Sequence, residues 1–271
     1  MTRILSPFRP APDARLRVAG HFGELMQGRL GPDGPLALVS LPCPALWVEP
    51  GAVADAGLIG PRRLAALCAA LGLPVPARLP ALHATMPQGG GAGSSTAALV
   101  AVARLIGFDG PPEDLARACV AAEGASDPLM FPAAHRLLFA PREGRVLRAL
   151  PALPGFTVVG GFWGDERRTD PQDLDFPDIA DLVDRWSHLA TLPEMAALTS
   201  DSARRTLARR GPSDDPTGAL AHALGAEGWL IAHTGSARGL IFTPERVPAD
   251  AEERLRAAGF RGVLRFAGGG A

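Results

Sequence analysis

The sequence predicts an α+β protein of two domains. Its 271 residues are enough for one large core or two modest ones. A Pro-punctuated stretch, "LPALPG", interrupts the chain near residue 153, so the expected domains are residues 1–152 and 153–271. Beyond it, strand-like runs separated by short turns point to a mostly antiparallel sheet.

Taken in order, "RLRVAG" (Arg15 to Gly20) predicts a strand entering a Gly-bounded turn. "GPLALVSLPCPALWVEP" predicts one or two strands, with Pro42 and Pro44 confining that part to an edge or a bend. "PRRLAALCAALG" has Leu64, Leu67, Cys68 and Leu71 at helical spacing, Pro61 near its start and Gly72 at its end. "RLPALHAT" is a strand feeding a glycine-rich loop. Ser94 or Ser95 would cap the next helix, which is apolar on every side except Arg104 and so belongs between layers. "PPEDLARACVAAEG" is a further helix, and "HRLLFA" with "GRVLRAL" a hairpin around Arg142 to Gly144.

In the second half, "FTVVGGFWG" predicts a strand. "DLDFPDIADLVDRWSHLATL" and "PEMAALTSDSARRTLARR" predict helices. "TGALAHALGA" is a helix, "GWLIAHTGSARGLIFTP" two strands around a turn, "PADAEERLRAAG" a helix and "RGVLRFA" a closing strand.

Composition excludes several classes. With 47% hydrophobic and 20% charged residues the chain is ordinary for a globular protein. A formal charge of −1 gives no electrostatic argument for nucleic acid or anionic membrane. No apolar run approaches the ~20 residues of a membrane span. "MTRILSPFRPAPDARL" lacks the apolar core and cleavage site of a secretory signal, so the expected compartment is the cytoplasm. Cys43, Cys68 and Cys119 are isolated and are expected to be small buried hydrophobes. All 27 basic residues are Arg. Without Lys, neither a Walker-type phosphate loop nor Schiff-base chemistry is available.

"MPQGGGAGSSTAALVAVARL" (Met86 to Leu105) joins strand, glycine loop and helix start. The first turn of a helix leaves N–H groups unpaired and carries the positive end of the peptide dipoles. Gly89, Gly90, Gly91 and Gly93 would let that backbone approach a phosphate, and Ser94, Ser95 and Thr96 add hydroxyls. A tight strand-to-helix connection is the plainer alternative. The spacing does not fit the dinucleotide fingerprint, because Ser94 stands where its last glycine would be.

Two further stretches bear on this choice, "GHFGELMQG" (Gly20 to Gly28) and "AHTGSARGLIF" (Ala232 to Phe242). With "PQGGGAGSSTAALVA", they resemble the three ordered motifs of the GHMP small-molecule kinases, which include galactokinase, homoserine kinase and mevalonate kinase. The resemblance spans nearly the whole chain. "FGELMQG", "SSTA" and "AHTGS…GL" look most like the L-threonine kinases of cobalamin synthesis. Ala92 and Gly93 depart from the commoner Leu-Gly or Met-Ala pair, and Ala98 stands where that type often has an acidic residue.

The resemblance implies a GHMP-kinase-like fold: an N-terminal domain with a left-handed βαβ unit, and a C-terminal ferredoxin-like α/β sandwich. It implies ATP phosphates held by Pro87, Gly89, Gly90, Gly91, Ala92, Gly93, Ser94, Ser95 and Thr96. It also implies Mg2+ on Ser95 and Glu123, Asp127 as base or orienter of the substrate hydroxyl, and O-phospho-L-threonine as product. Without the resemblance, Glu123 in "AAEGASDPLM" is a helix-end residue and Asp127 before Pro128 a turn former.

Glu24, Gln27, His233, Thr234, Gly235 and Ser236 are candidate substrate contacts. Glu24 and Gln27 equally fit an N-terminal turn, and Gly235 and Gly239 fit the needs of a hairpin. Arg238 is a candidate anion clamp or a solvated hairpin residue. An amino-acid substrate needs a cation for its carboxylate and acceptors for its ammonium. The alternatives are a kinase for homoserine or a sugar, a non-catalytic ligand-binding relative, or an acyl-transfer enzyme. The last is poorly supported, because "GAGSS" lacks the G-x-S-x-G elbow.

Overall fold

The computed structural model describes residues 16–51, 55, 57–167 and 169–270. The stretch read for a leader (but for Leu16), and Arg15 at the expected start of the first strand, lie outside the described residues. Strands β1 (Val18–Arg29) and β2 (Leu36–Pro50) form a long antiparallel hairpin. Here the structure corrects the sequence expectation, which ended the first strand at Gly20. The strand runs on through "HFGELMQG", so Glu24 and Gln27 lie on a strand and not in a turn. Register shifts at Ala19/Gly20, His21/Glu24 and Glu24/Met26 interrupt the pairing. Bulges of this kind re-aim side chains while the ladder continues.

One edge of β2 pairs with β1. Its other edge pairs with β3 (Leu82–Ala84) near Val48 and with β4 (Leu137–Ala140) at Leu38. Pro42 and Pro44 fall between those two pairings, where their missing N–H groups break no ladder bond. β4 continues into a hairpin with β5 (Arg145–Ala149).

Three helices pack beside this half: α1 (Pro61–Leu71), α2 (Ser94–Leu105) and α3 (Pro112–Glu123). α2 is buried at nine of its positions from Ser94 to Ala103, as its all-round apolar sequence requires. Neither Ser94 nor Ser95 caps it. Gly93 is the N-cap, in the left-handed region at φ 73°, and both serines lie inside the first turn. α3 ends at Gly124, whose φ of 77° suits only glycine well.

The second half contributes β6 (Phe156–Phe162), β7 (Gly228–Ile231), β8 (Ala237–Phe242) and β9 (Arg261–Gly268), all paired antiparallel. Its helices are α4 (Ala180–Trp186), α5 (Leu192–Arg210), α6 (Thr217–Ala223) and α7 (Ala251–Ala257). α4 is much shorter than its sequence pattern suggested. Pro177 stops a helix from forming across it, and the Asp178 carboxylate turns the chain by accepting from the N–H groups of Ala180 and Gly31.

Among the described residues the strands form one sheet of order β5-β4-β2-β1-β7-β8-β6-β9, with β3 on β2. A single residue pair, Glu24 with Ile231, joins β1 to β7. The larger apolar cluster includes Phe22, Leu99, Phe139 and Trp186, and a smaller one includes Trp229, Phe242 and Leu255. Each such side chain contributes about 1.5–3 kcal/mol by leaving water. Cys43, Cys68 and Cys119 are buried free thiols. No helix among the described residues is long and apolar enough to cross a membrane.

Candidate active site

The glycine loop is anchored through its carbonyls. Gly91 O accepts from Gly23 N–H and Ala92 O from His21 N–H, both at 3.1 Å on β1. Gly90 O accepts from Ser236 N–H at 3.0 Å and Ala237 N–H at 2.8 Å, and Gly89 O from Arg167 N–H at 2.9 Å. The three stretches singled out in the sequence therefore meet here. With the carbonyls so engaged, the amides turn the other way. The first intrahelical bond of α2 runs from Ala97 N–H to Gly93 O. The N–H groups of Ser94, Ser95 and Thr96 have no acceptor among the described residues, an arrangement chemically suited to an anion.

That helix start opens on a cleft of about 340 Å³, lined by residues 91–96 of the loop and helix and by His21, Glu24, Gln27, Glu123 and Asp127. Gly89 and Thr234 also line it. Pro87 and Gly90 lie outside this cleft. Pro87 faces a second cavity with Thr85 and Phe162, and Gly90 packs against Pro87 and Phe162.

The predicted pair Ser95 and Glu123 is in direct contact, the Ser95 hydroxyl donating to Glu123 Oε1. Arg63, which sequence reasoning missed, completes the cluster. Its Nη1 donates to Glu123 Oε1 at 2.5 Å and to Ser95 Oγ at 2.6 Å, while Nη2 donates to the Gly57 and Leu58 carbonyls. Burial pushes the Glu123 carboxyl above its usual range, against the opposing pull of Ser95 and Arg63. A hydroxyl and a carboxylate are hard oxygen donors of the kind Mg2+ takes, and Arg63, now bonded to both, would have to give way to the ion. The residues present fit that ion.

Asp127 lies on the loop after α3. Its N–H donates to Thr96 Oγ1 at 3.2 Å, and the Thr96 hydroxyl donates to its Oδ2 at 3.3 Å. Thr96 thus holds Asp127, and its hydroxyl is engaged there rather than offered to phosphate. His21 Nε2 stands 3.6 Å from Asp127 Oδ2. Burial raises the Asp127 carboxyl above its usual range; His21 acts against this and the Glu24 charge adds to it.

Glu24 is buried on β1. Burial opposes its charge, but the bonds from His233 and the nearby His21 and His233 rings outweigh that and hold its carboxyl below the usual range. The His233 backbone N–H donates to Glu24 Oε2 at 3.1 Å, and His233 Nδ1 lies 3.2 Å from the same oxygen. Gln27 lines the cleft with its Oε1 buried and unpartnered among the described residues.

The last motif divides. Thr234 lines the cleft, but His233 and Ser236 are buried behind it and do not. His233 serves Glu24, and Ser236 N–H serves Gly90. Gly235 lies against the glycine loop, where a Cβ would stand 2.4 Å from Gly91 N. Three candidate substrate contacts, His233, Gly235 and Ser236, are therefore supporting residues. Arg238 is neither a clamp nor solvated. Its Nε pairs with Asp215 Oδ2 at 2.7 Å in a buried bridge, and its Nη1 donates to the Gly235 and Ala237 carbonyls.

Three arginines do line the cleft, Arg63, Arg167 and, in the β4–β5 turn, Arg142. The last has spare donors. Its Nη2 donates to the Asp170 carbonyl at 2.8 Å, while Nε and Nη1 are without partners among the described residues. No sequence signal distinguished Arg63 or Arg142 from the other arginines. His21 lies inside the motif "GHFGELMQG", where nothing in the local sequence marks it out.

No protein-family model and no curated protein matches this chain. Solved structures do share its fold. The mevalonate kinase of Methanococcus jannaschii superposes with a TM-score of 0.59 at 10% identity, covering 94% of this chain and 97% of that one. The phosphomevalonate kinase of Streptococcus pneumoniae gives 0.57 at 11% identity, covering 93% and 98%. A putative homoserine kinase from Listeria monocytogenes gives 0.53 at 16% identity, covering 94% and 96%. At these identities the likeness is one of fold.

Proposed function

We propose that this chain is an ATP- and Mg2+-dependent small-molecule kinase that phosphorylates the hydroxyl of L-threonine. One observation carries the reading. Unpaired amides at the head of α2 open on the same cleft as a partly buried carboxylate, Asp127, held beside them by Thr96. Phosphoryl transfer asks mainly for such positioning and for charge stabilisation. The shared fold with mevalonate and homoserine kinases supports the class of reaction.

The amides of Ser94 and Ser95 bind the triphosphate, taking the part that Lys plays in other phosphate loops. Ser95 and Glu123 would hold Mg2+, which supplies charge neutralisation on the phosphates when bound. Asp127 orients the acceptor hydroxyl and takes its proton. Gln27 Oε1 and the Glu24 carboxylate are acceptors for a substrate ammonium, and Arg142 is the cation for its carboxylate. In this reading residues 1–152 and 153–271 are separate domains, the first carrying the glycine loop and Asp127, the second Thr234.

The test is phosphate transfer from ATP to a panel of alcohols by the purified protein, with products read by phosphorus NMR. L-Threonine is expected as the preferred acceptor. Turnover of homoserine or a sugar with none of threonine would overturn the substrate, and nucleotide binding without transfer to any alcohol would overturn the kinase.

A further inference from the structure

His21 is a buried imidazole between two carboxylates, and the mechanism above makes no use of it. Nδ1 lies 2.9 Å from the Ser40 hydroxyl on β2 and 3.9 Å from Glu24 Oε1 on β1. Nε2 faces Asp127 Oδ2 at 3.6 Å across the edge of the cleft. The ring has little freedom. The backbone N–H of His21 is bonded to Ala92 O, and a methyl group on Gly93 would stand 2.7 Å from Cδ2 of the ring. The head of the phosphate-binding helix and the proton-accepting carboxylate are thus linked through one side chain.

We propose that His21 and Asp127 act as one proton-holding pair, backed by Glu24, and that the proton leaving the acceptor hydroxyl comes to rest on His21 Nε2. The proposal rests on the kinase reading and extends it. As the new O–P bond forms, the alcohol O–H bond breaks and its proton passes to Asp127 Oδ2, then to Nε2. Asp127 returns to its carboxylate, and the imidazolium lies between two negative groups. It returns the proton to water after the product leaves.

Three features favour this path. Glu24 is fixed by two bonds from His233, so a negative charge waits behind the ring before any proton arrives. Ser40 Oγ is within hydrogen-bond distance of Nδ1, and in the neutral tautomer whose Nδ1–H donates to it the Nε2 lone pair faces Asp127. Of the cationic side chains, His21 and Arg142 are the ones whose charge draws the Asp127 carboxyl down against its burial, and the chain has no Lys to do so. The titratable and charged groups about the ring are Glu24 on its own strand and Asp127 on the loop after α3.

His21 acts through Asp127, which makes it a positioning residue, and its test needs more than loss of activity. The imidazole titration of His21 would be followed by NMR in histidine-labelled protein, with its resonance assigned through its contact with Gly93. Asp127→Asn should lower the ring's midpoint by about one pH unit, because a neighbouring negative charge is removed. His21→Gln should lower kcat roughly 100-fold while leaving the KM for ATP unchanged. The acidic limb of its pH–rate profile should move to higher pH, because the charge that draws the Asp127 carboxyl down is gone. In the double variant the loss should equal that of Asp127→Asn alone.

A ring midpoint unchanged by Asp127→Asn overturns the pair, as do losses that multiply in the double variant. Asp127→Asn keeps the ring in place, so the titration decides even if His21→Gln does not fold. A wild-type protein that phosphorylates no alcohol overturns the kinase reading by itself, and the ring titration still decides the pair.

Discussion

Gly91 and Ala232 meet so closely that a methyl group built on Gly91 would lie 2.2 Å from the Ala232 side chain and 2.7 Å from the Thr234 carbonyl. Gly91 also has φ 74°, where side chains are strained. Gly91→Ala should therefore cost roughly 1–3 kcal/mol in stability and displace the loop from the last motif. Thermal melting would show the first effect. Titration with nucleotide should show at least a tenfold weaker affinity, because the amides at the head of α2 would lose their alignment.

Asp127→Asn should abolish most turnover, roughly 100-fold or more, while ATP still binds. The same variant should be more stable than the unmodified protein at pH 7. The folded-state carboxyl titrates above its unfolded value of 3.8, so its ionisation opposes folding at neutral pH. That opposition is relieved as pH falls through the folded value and is absent below the unfolded one. Melting curves at pH 7 and pH 4 should show the variant's advantage shrinking with acidity.

Arg63→Met leaves Glu123 buried with only Ser95 to support its charge. Since Arg63 draws that carboxyl down, its loss should move it further above the usual range. Binding of a divalent cation would then compete with a proton at mildly acidic pH. At saturating ATP and magnesium, the ratio of rates at pH 8 and pH 6 should grow roughly tenfold relative to the unmodified protein. An unchanged pH–rate profile would place Glu123 outside the reaction.

Arg238→Met tests the buried bridge. It strands the Asp215 carboxylate, whose side chain is 1% exposed, and breaking such a pair costs about 3–5 kcal/mol. The melting temperature should fall by roughly 10 °C. Because Arg238 points away from the cleft, kcat at a temperature where the variant is folded should stay within about twofold.

Much of the architecture was legible from periodicity and turn chemistry. "PRRLAALCAALG" and "PPEDLARACVAAEG" form helices within a residue or so of their expected ends, because Pro and Gly mark both termini. The contact of Ser95 with Glu123 was expected only from resemblance, since 28 residues separate them. Local pattern says nothing about such distances. The long first strand was missed because its bulges disturb the two-residue alternation, and α5 and α2 bury it on both faces. Arg63, Arg142 and His21 escaped for a related reason. Each acquires its role from a partner on a different element, and a guanidinium or imidazole looks the same in sequence whether it faces water or a buried carboxylate.

Glu24 is also the β1 residue that pairs with Ile231 of β7, two positions before the histidine that fixes its carboxylate. The candidate site therefore borders a junction between two strands that is stitched by one residue pair. Loosening that stitch would uncouple Glu24 from His233 before either half melted, so under mild denaturant catalysis should vanish while helix content persists, as a fuse blows ahead of the circuit it guards.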